Sequence, residues 1–342
     1  MTDLTKLSRR TFMVMPLALA ACQPGAEEFD IVGATMGTTY RVVAADPSGR
    51  VDQAAMRGAI DTALANVNRT MSNWDETSEI SRFNAMRGTE AITVSAELAE
   101  VMQAAEAVHA ASAGRFDTTM GPVIELWGFG APRASGIPGD AAIEAARARA
   151  GHAHTLAVGD GTLRKKLPEA QVYLAAIGKG YGADAVARAI EGFGIRDYMV
   201  EIGGDLYVSG RNPDGLEWRI GIEMPAAGTR DVLEVVSVSD LGLASSGDYR
   251  NYFERDGQRF SHLLDPTTGR PVTHETAAVT VLAENAMMAD AWATALHVLG
   301  TEAGMEIAEA RGLAALFVER DGAARGFRTR ASSAFTARTG LG

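Results

Sequence analysis

YMVEIGGDLYVSGRNPDGLEWRIGIE, Tyr198 to Glu223, is the stretch on which the fold class turns. Residues 198–209 and 218–223 carry the period-2 apolar pattern of half-buried strands. Between them Asn212-Pro-Asp-Gly215 is turn chemistry, with Pro213 presetting φ and Gly215 accepting the closing conformation. Strand pairs joined by turns this short favour antiparallel pairing. Outward from this stretch, strands are expected at 31–44, 232–238, 277–282 and 313–318. Helices are expected at 52–71, 96–111, 179–191, 286–299 and 302–310. Helices interspersed with such strand pairs predict an α+β fold with mixed or antiparallel sheets, not a Rossmann repeat.

The first 22 residues, MTDLTKLSRRTFMVMPLALAAC, read as an export segment. Lys6, Arg9 and Arg10 form a basic n-region, and the apolar run after them is too short to span a bilayer. Arg9-Arg10 resembles a twin-arginine signal, and Leu19-Ala-Ala-Cys22 resembles a bacterial lipobox. Residues 1–21 are therefore expected to be removed as a signal peptide and Cys22 to carry a lipid anchor at the periplasmic face of a bacterial membrane. Residues 22–28 would be a tether and 29–342 the folded unit. Cys22 is the single cysteine, so its acylation excludes disulfides, zinc–thiolate centres and cysteine nucleophiles. The formal charge of −11 becomes −13 once the export segment, with one acid and three bases, is gone. That sign excludes a nucleic-acid partner. The chain is 46% hydrophobic over 342 residues, enough for one large unit or two packed lobes, with 151–167 the expected seam.

Asp290 and Thr294 are four residues apart in the predicted helix 286–299, on one face. Two oxygen donors so placed suit Mg²⁺, a hard ion that also binds substrate phosphate. The same pair also fits a dipole-complementing carboxylate and a hydroxyl bonded back to a carbonyl. Gly178-Lys-Gly-Tyr181, Ile202-Gly-Gly-Asp205 and Ser245-Ser-Gly-Asp-Tyr249 let backbone N–H groups approach an anion, although none is a Walker or Rossmann motif. Singly each is a turn; together they suit a phosphate-rich ligand. In SHLLDPTTGRPV, Ser261 to Val272, Pro266 and Gly269 shape a tight turn beside His262 and Asp265. His262 is suited to proton transfer near neutral pH, with Asp265 orienting it or accepting a proton itself. The alternative is a structural turn in which Asp265 caps Thr267 or Thr268. There is no GxSxG or HExxH motif, and no two histidines form a metal pair at helical spacing. Trp74, Phe116 and Trp127 are candidates to stack on a flat ring or to fill the core.

In order, these segments resemble the FAD:protein FMN transferase (ApbE) family over nearly the whole chain after the export segment. The resemblance rests on Met36-Gly-Thr-Thr-Tyr40, Met71-Ser72 through Ser78-Glu-Ile80 to Phe83-Asn84, and Gly114-Arg-Phe-Asp117 through Gly121-Pro122 to Leu126-Trp-Gly-Phe-Gly130. It continues through Lys179-Gly-Tyr181 with Asp184, Gly203-Gly-Asp205, Ser246-Gly-Asp-Tyr249, His262 to Gly269, and Ala289-Asp290 to Thr294.

The resemblance implies a T-fold-like architecture. It also implies transfer of FMN from FAD to a threonine hydroxyl of a redox protein, with release of AMP. Met36, Trp74, Arg115, Phe116, Asp117, Lys179 and Leu264 would then contact FAD. The Ala176 carbonyl, Asp290 and Thr294 would hold Mg²⁺, and His262 and Asp265 would be the reaction-centre pair. Implied acceptors are subunits of respiratory or ion-pumping electron-transfer complexes. Two positions depart from the family: Trp74 stands where tyrosine is common, and Tyr173 where an aspartate often precedes Leu174. The rival readings are a Mg²⁺-dependent FAD pyrophosphatase and a non-catalytic flavin-binding lipoprotein.

Overall fold

Eight strands pair antiparallel into the sheet that organises the chain, in a computed structural model that describes residues 27–130, 136–226, 228, 231–255, 257–322 and 326–341. The expected export segment, Cys22 and the tether as far as residue 26 lie outside the described residues. Across the sheet the strands run Glu27–Thr35, Thr38–Asp46, Asp197–Ile202, Asp205–Ser209, Leu241–Gly247, Thr276–Ala283, Ala314–Asp321 and Gly326–Ala331. The first strand begins within the expected tether, with Glu27 opposite Asp46.

Two stretches expected as single strands are hairpins. The segment 31–44 reverses at Met36-Gly37, with φ of 49° and 73°, and 198–209 reverses at Gly203-Gly204, with φ of 57° and 100°. Positive φ at both central residues gives the two-residue turn whose twist matches its flanking strands. The Asn212–Gly215 turn does form, with Asn212 Oδ1 accepting the N–H groups of Asp214 and Leu216 at 3.0 Å. It changes sheets rather than closing a hairpin, because strand Trp218–Glu223 pairs with Val232–Val238 in a separate two-stranded sheet.

Alternation along the strands divides the core. Ala244, Val281, Ala315 and Phe317 face helices Ala96–Ala111 and Ala286–Leu299. Their neighbours Leu243, Leu282, Ala314 and Leu316 face the opposite way, onto Trp218, Ile220, Val236 and Phe335. Strand Thr276–Ala283, covered on both faces, is buried at every position. Tyr198, Val200 and Ile202 pack beneath helices Gln53–Met71 and Gly178–Glu191. No seam exists at 151–167. That stretch forms strands Leu156–Gly159 and Thr162–Lys165, and Leu156 and Leu163 belong to the same core as Leu98 and Trp292.

Two contacts fix helix Ala286–Leu299 against helix Gly178–Glu191. Asp184 accepts the N–H groups of Ala286 at 2.8 Å and Met287 at 2.9 Å, serving donors that the helix start leaves unpaired. Burial pushes the Asp184 carboxyl up to about 6, against the lowering effect of those two bonds. Gly180 sets the approach: a Cβ there would press on the Ala286 backbone and lie 2.8 Å from the Met287 Cα.

Candidate functional site

The three glycine-bearing segments converge on one cavity of about 510 Å³, where Lys179, Gly203, Asp205, Ser246 and Gly247 contribute to its wall. Arg115, Tyr173, His262 and Leu264 line it as well, so the turn at Gly203-Gly204 and the loop at 261–272 face the same space. None of these segments is a phosphate motif alone. The sheet and the helix pair bring their backbone groups together.

At one end Asp290 and Thr294 project from helix Ala286–Leu299 and both line the cavity. Asp290 is 3% exposed, and its Oδ2 accepts the Gly180 N–H at 3.1 Å. In a continuous helix that N–H would serve the Ala176 carbonyl, and Ala176 also lines the cavity. Thr294 Oγ1 lies 3.1 Å from Ser246 Oγ. Lys179 Nζ forms a close ion pair with Asp205 and stands 3.7 Å from Asp290 Oδ2. Burial alone would lower the Lys179 ammonium, but Asp205 and Asp290 outweigh it and raise it, so Lys179 stays protonated. Burial and Asp290 push Asp205 up despite the opposing pull of Lys179. Two buried carboxylates therefore share one ammonium. An added divalent cation would relieve that imbalance, and carboxylate, hydroxyl and carbonyl oxygens are the donors a hard cation takes. The residues present fit Mg²⁺.

On the loop, His262 Nδ1 lies 2.9 Å from the Asn251 carbonyl. A carbonyl only accepts, so Nδ1 carries the hydrogen and Nε2 keeps the lone pair. Burial lowers the His262 pKa and favours this neutral form. Asp265 does not hydrogen-bond His262. Its Oδ1 accepts from Arg115 Nη1 at 2.7 Å and from the Thr267 N–H at 2.9 Å, so it both caps the turn and anchors Arg115. Trp127 Nε1 ties the far side of the loop to the Gly269 carbonyl at 2.8 Å.

The other residues named from sequence distribute unevenly. Leu264 and Phe116 are buried and line the cavity, and so does Asp117. The Asp117 carboxylate is engaged internally: Oδ1 accepts the Thr119 N–H at 2.7 Å, and Oδ2 the His152 N–H at 3.0 Å. Met36 lies outside the cavity lining and packs over Gly182. Trp74 is 65% exposed and also outside it, though its neighbour Asn73 bonds Val172 and Leu174 on either side of the lining residue Tyr173. Tyr173 donates its hydroxyl to Glu125. Asp205 and Ser246 stood in the sequence motifs without a role, and only the fold brings them to Lys179 and Thr294. His109 and His152 meet across 43 residues of chain, with ring centroids 4.7 Å apart, which no helical spacing could signal.

This arrangement has close relatives. The FAD:protein FMN transferase of Vibrio cholerae serotype O1 is 42% identical over 320 residues, 93% of this chain and 95% of that protein. The protein of the same name from Haemophilus influenzae is 40% identical over 331 residues, covering 94% and 95%. The solved flavin transferase ApbE from V. cholerae superposes with a TM-score of 0.84 at 41% identity, over 92% of this chain and 99% of that one. The apo form of the Pseudomonas stutzeri flavinyl transferase ApbE gives 0.85 at 37% identity, over 93% and 98%. The ApbE family profile matches residues 36–317, a span that includes every cavity residue named above, and with these identities it establishes that the chain belongs to the ApbE family.

Proposed function

We propose that the chain transfers FMN from FAD to a threonine hydroxyl of an exported or membrane-bound redox protein, releasing AMP, with Mg²⁺ required. The observation that carries this reading is the convergence of Asp290, Thr294 and the Ala176 segment with Lys179 and three glycine-rich backbones on one cavity. The threonine oxygen attacks the FMN-side phosphorus, and the bond from that phosphorus to the AMP phosphate oxygen breaks in line. Bound through Asp290, Thr294 and the Ala176 carbonyl, Mg²⁺ would supply charge neutralisation at the diphosphate. Lys179, held protonated, adds a second cation at the same end. His262 Nε2 accepts the hydroxyl proton, and Arg115, anchored by Asp265, faces the substrate from the loop side. Trp74, next to the Asn73 that bonds the backbone on either side of Tyr173, offers an exposed ring for the isoalloxazine, and Met36 supports the neighbouring helix.

Loose phosphoryl transition states need more help with charge than with the nucleophile. Asp290→Ala should therefore cost about a thousandfold in single-turnover AMP release and His262→Ala only about a hundredfold, the low end for a general base. Equal or reversed losses would contradict the assignment. The defining assay mixes the purified protein with FAD, Mg²⁺ and a candidate acceptor, reading AMP and a fluorescent acceptor band on a denaturing gel. AMP with a fluorescent band supports transfer, AMP with free FMN supports the pyrophosphatase, and neither supports a flavin carrier.

A further inference from the structure

Beside the cavity, one ligating atom from each of His109, Asp117 and His152 lies within 4.8 Å of the other two, the one such cluster among the described residues. Three separate segments supply them: helix Ala96–Ala111, the wall at 115–117 and the helix start at His152. The hydrogen bonds around the cluster assign the lone pairs. His109 Nδ1 lies 2.7 Å from the Phe116 carbonyl, so it carries the hydrogen and leaves Nε2 as a donor of electrons. His152 Nε2 pairs with the Glu106 carboxylate, while its Nδ1 is buried with no hydrogen-bond partner in a residue only 3% exposed. A buried polar atom left without a partner is costly and so points to a missing ligand. The Asp117 carboxylate is held by Thr119 and the His152 N–H.

Imidazoles whose second nitrogen is fixed by a carbonyl or a carboxylate are the outer-shell arrangement of histidine metal ligands. We propose that His109, Asp117 and His152 form a transition-metal site of the Zn²⁺ class, with Glu106 and the Phe116 carbonyl orienting the two imidazoles. Two imidazole nitrogens and one carboxylate oxygen select a borderline ion such as Zn²⁺ over Mg²⁺. The site is distinct from the Asp290 and Thr294 oxygens. Its ion would clamp the Arg115–Asp117 wall of the cavity to the helix behind it, a positioning role rather than a part in the transfer.

The test uses the full-length, tag-free protein in excess Mg²⁺, titrated with Zn²⁺ and, separately, with Co²⁺ as a visible-absorption probe. One equivalent of Zn²⁺ should bind, and Co²⁺ should give a visible band of low-coordinate type. His109→Gln, at a half-exposed position, should abolish the band and weaken Zn²⁺ binding at least about 100-fold, and Glu106→Gln should weaken it about 10–100-fold. Asp290→Ala should leave both unchanged. Failure of the wild-type protein to bind one equivalent in excess Mg²⁺, an undiminished band in His109→Gln, or loss of the band in Asp290→Ala would each overturn the proposal. Failure of flavin transfer would leave these readouts unaffected.

Discussion

At the residue scale, His262 shows how backbone contacts choose a chemical role. The Asn251 carbonyl holds Nδ1 as the donor, and burial, the largest influence on the ring, lowers its pKa below the ordinary histidine value of 6.5. Nε2 therefore remains a free base at pH values where an exposed histidine would already be half protonated. If the proton of the acceptor hydroxyl goes to His262, single-turnover AMP release should fall at acid pH along a limb whose midpoint lies below 6.5. His262→Ala should be slower at every pH and should lack that acidic limb. A limb centred above 6.5, or one retained in the variant, would remove His262 from the proton transfer. Asp265, bonded to Arg115 and Thr267, should affect substrate affinity through Arg115 rather than this limb.

At the scale of elements, the cation end depends on how closely two helices approach. A methyl at Gly180 would meet backbone atoms of Ala286 and Met287 rather than a movable side chain, so the helices would have to separate. Overpacking of this kind costs about 1–3 kcal/mol. It would also lengthen the 3.1 Å bond from the Gly180 N–H to Asp290. Gly180→Ala should lower the melting temperature and raise the Mg²⁺ concentration needed for half-maximal AMP release, whereas Gly178→Ala, with only the Leu174 Cβ 4.0 Å away, should do neither. A thermal scan with a Mg²⁺ titration of each variant checks this. The same elements show what a linear reading can reach. Helices 96–111 and 286–299 were legible because their apolar periodicity is contained within each segment, and in the structure Ser95 and Asn285 cap them from the preceding position. The Asp290 and Thr294 pair was legible because its spacing is helical. The hairpins at Met36-Gly37 and Gly203-Gly204 were not, because two-residue turns barely interrupt the strand pattern. Arg115 with Asp265, Lys179 with Asp205, and His109 with His152 are products of tertiary packing, and no local pattern encodes them.

At the scale of the whole molecule, the question is what would hold this chain at a membrane. Among the described residues no helix is long and apolar enough to cross one. The formal charge of −11, or −13 without the basic export segment, works against adhesion to an anionic lipid surface. If the chain is held at a membrane as its export segment predicts, we propose that acyl chains at Cys22 make the attachment, since buried methylenes contribute about 0.8 kcal/mol each and stable anchoring takes more than one chain. The cavity, by contrast, is built from residues 115–298, far along the chain from that position. Cys22→Ala should thus move the protein from the membrane to the soluble fraction while leaving AMP release from FAD with a soluble acceptor within about twofold of wild type. Labelling with a radioactive or clickable fatty acid, followed by fractionation, checks the first part. A variant that stays membrane-bound without incorporating label would show that another surface makes the attachment, and the lipid anchor would have to be abandoned.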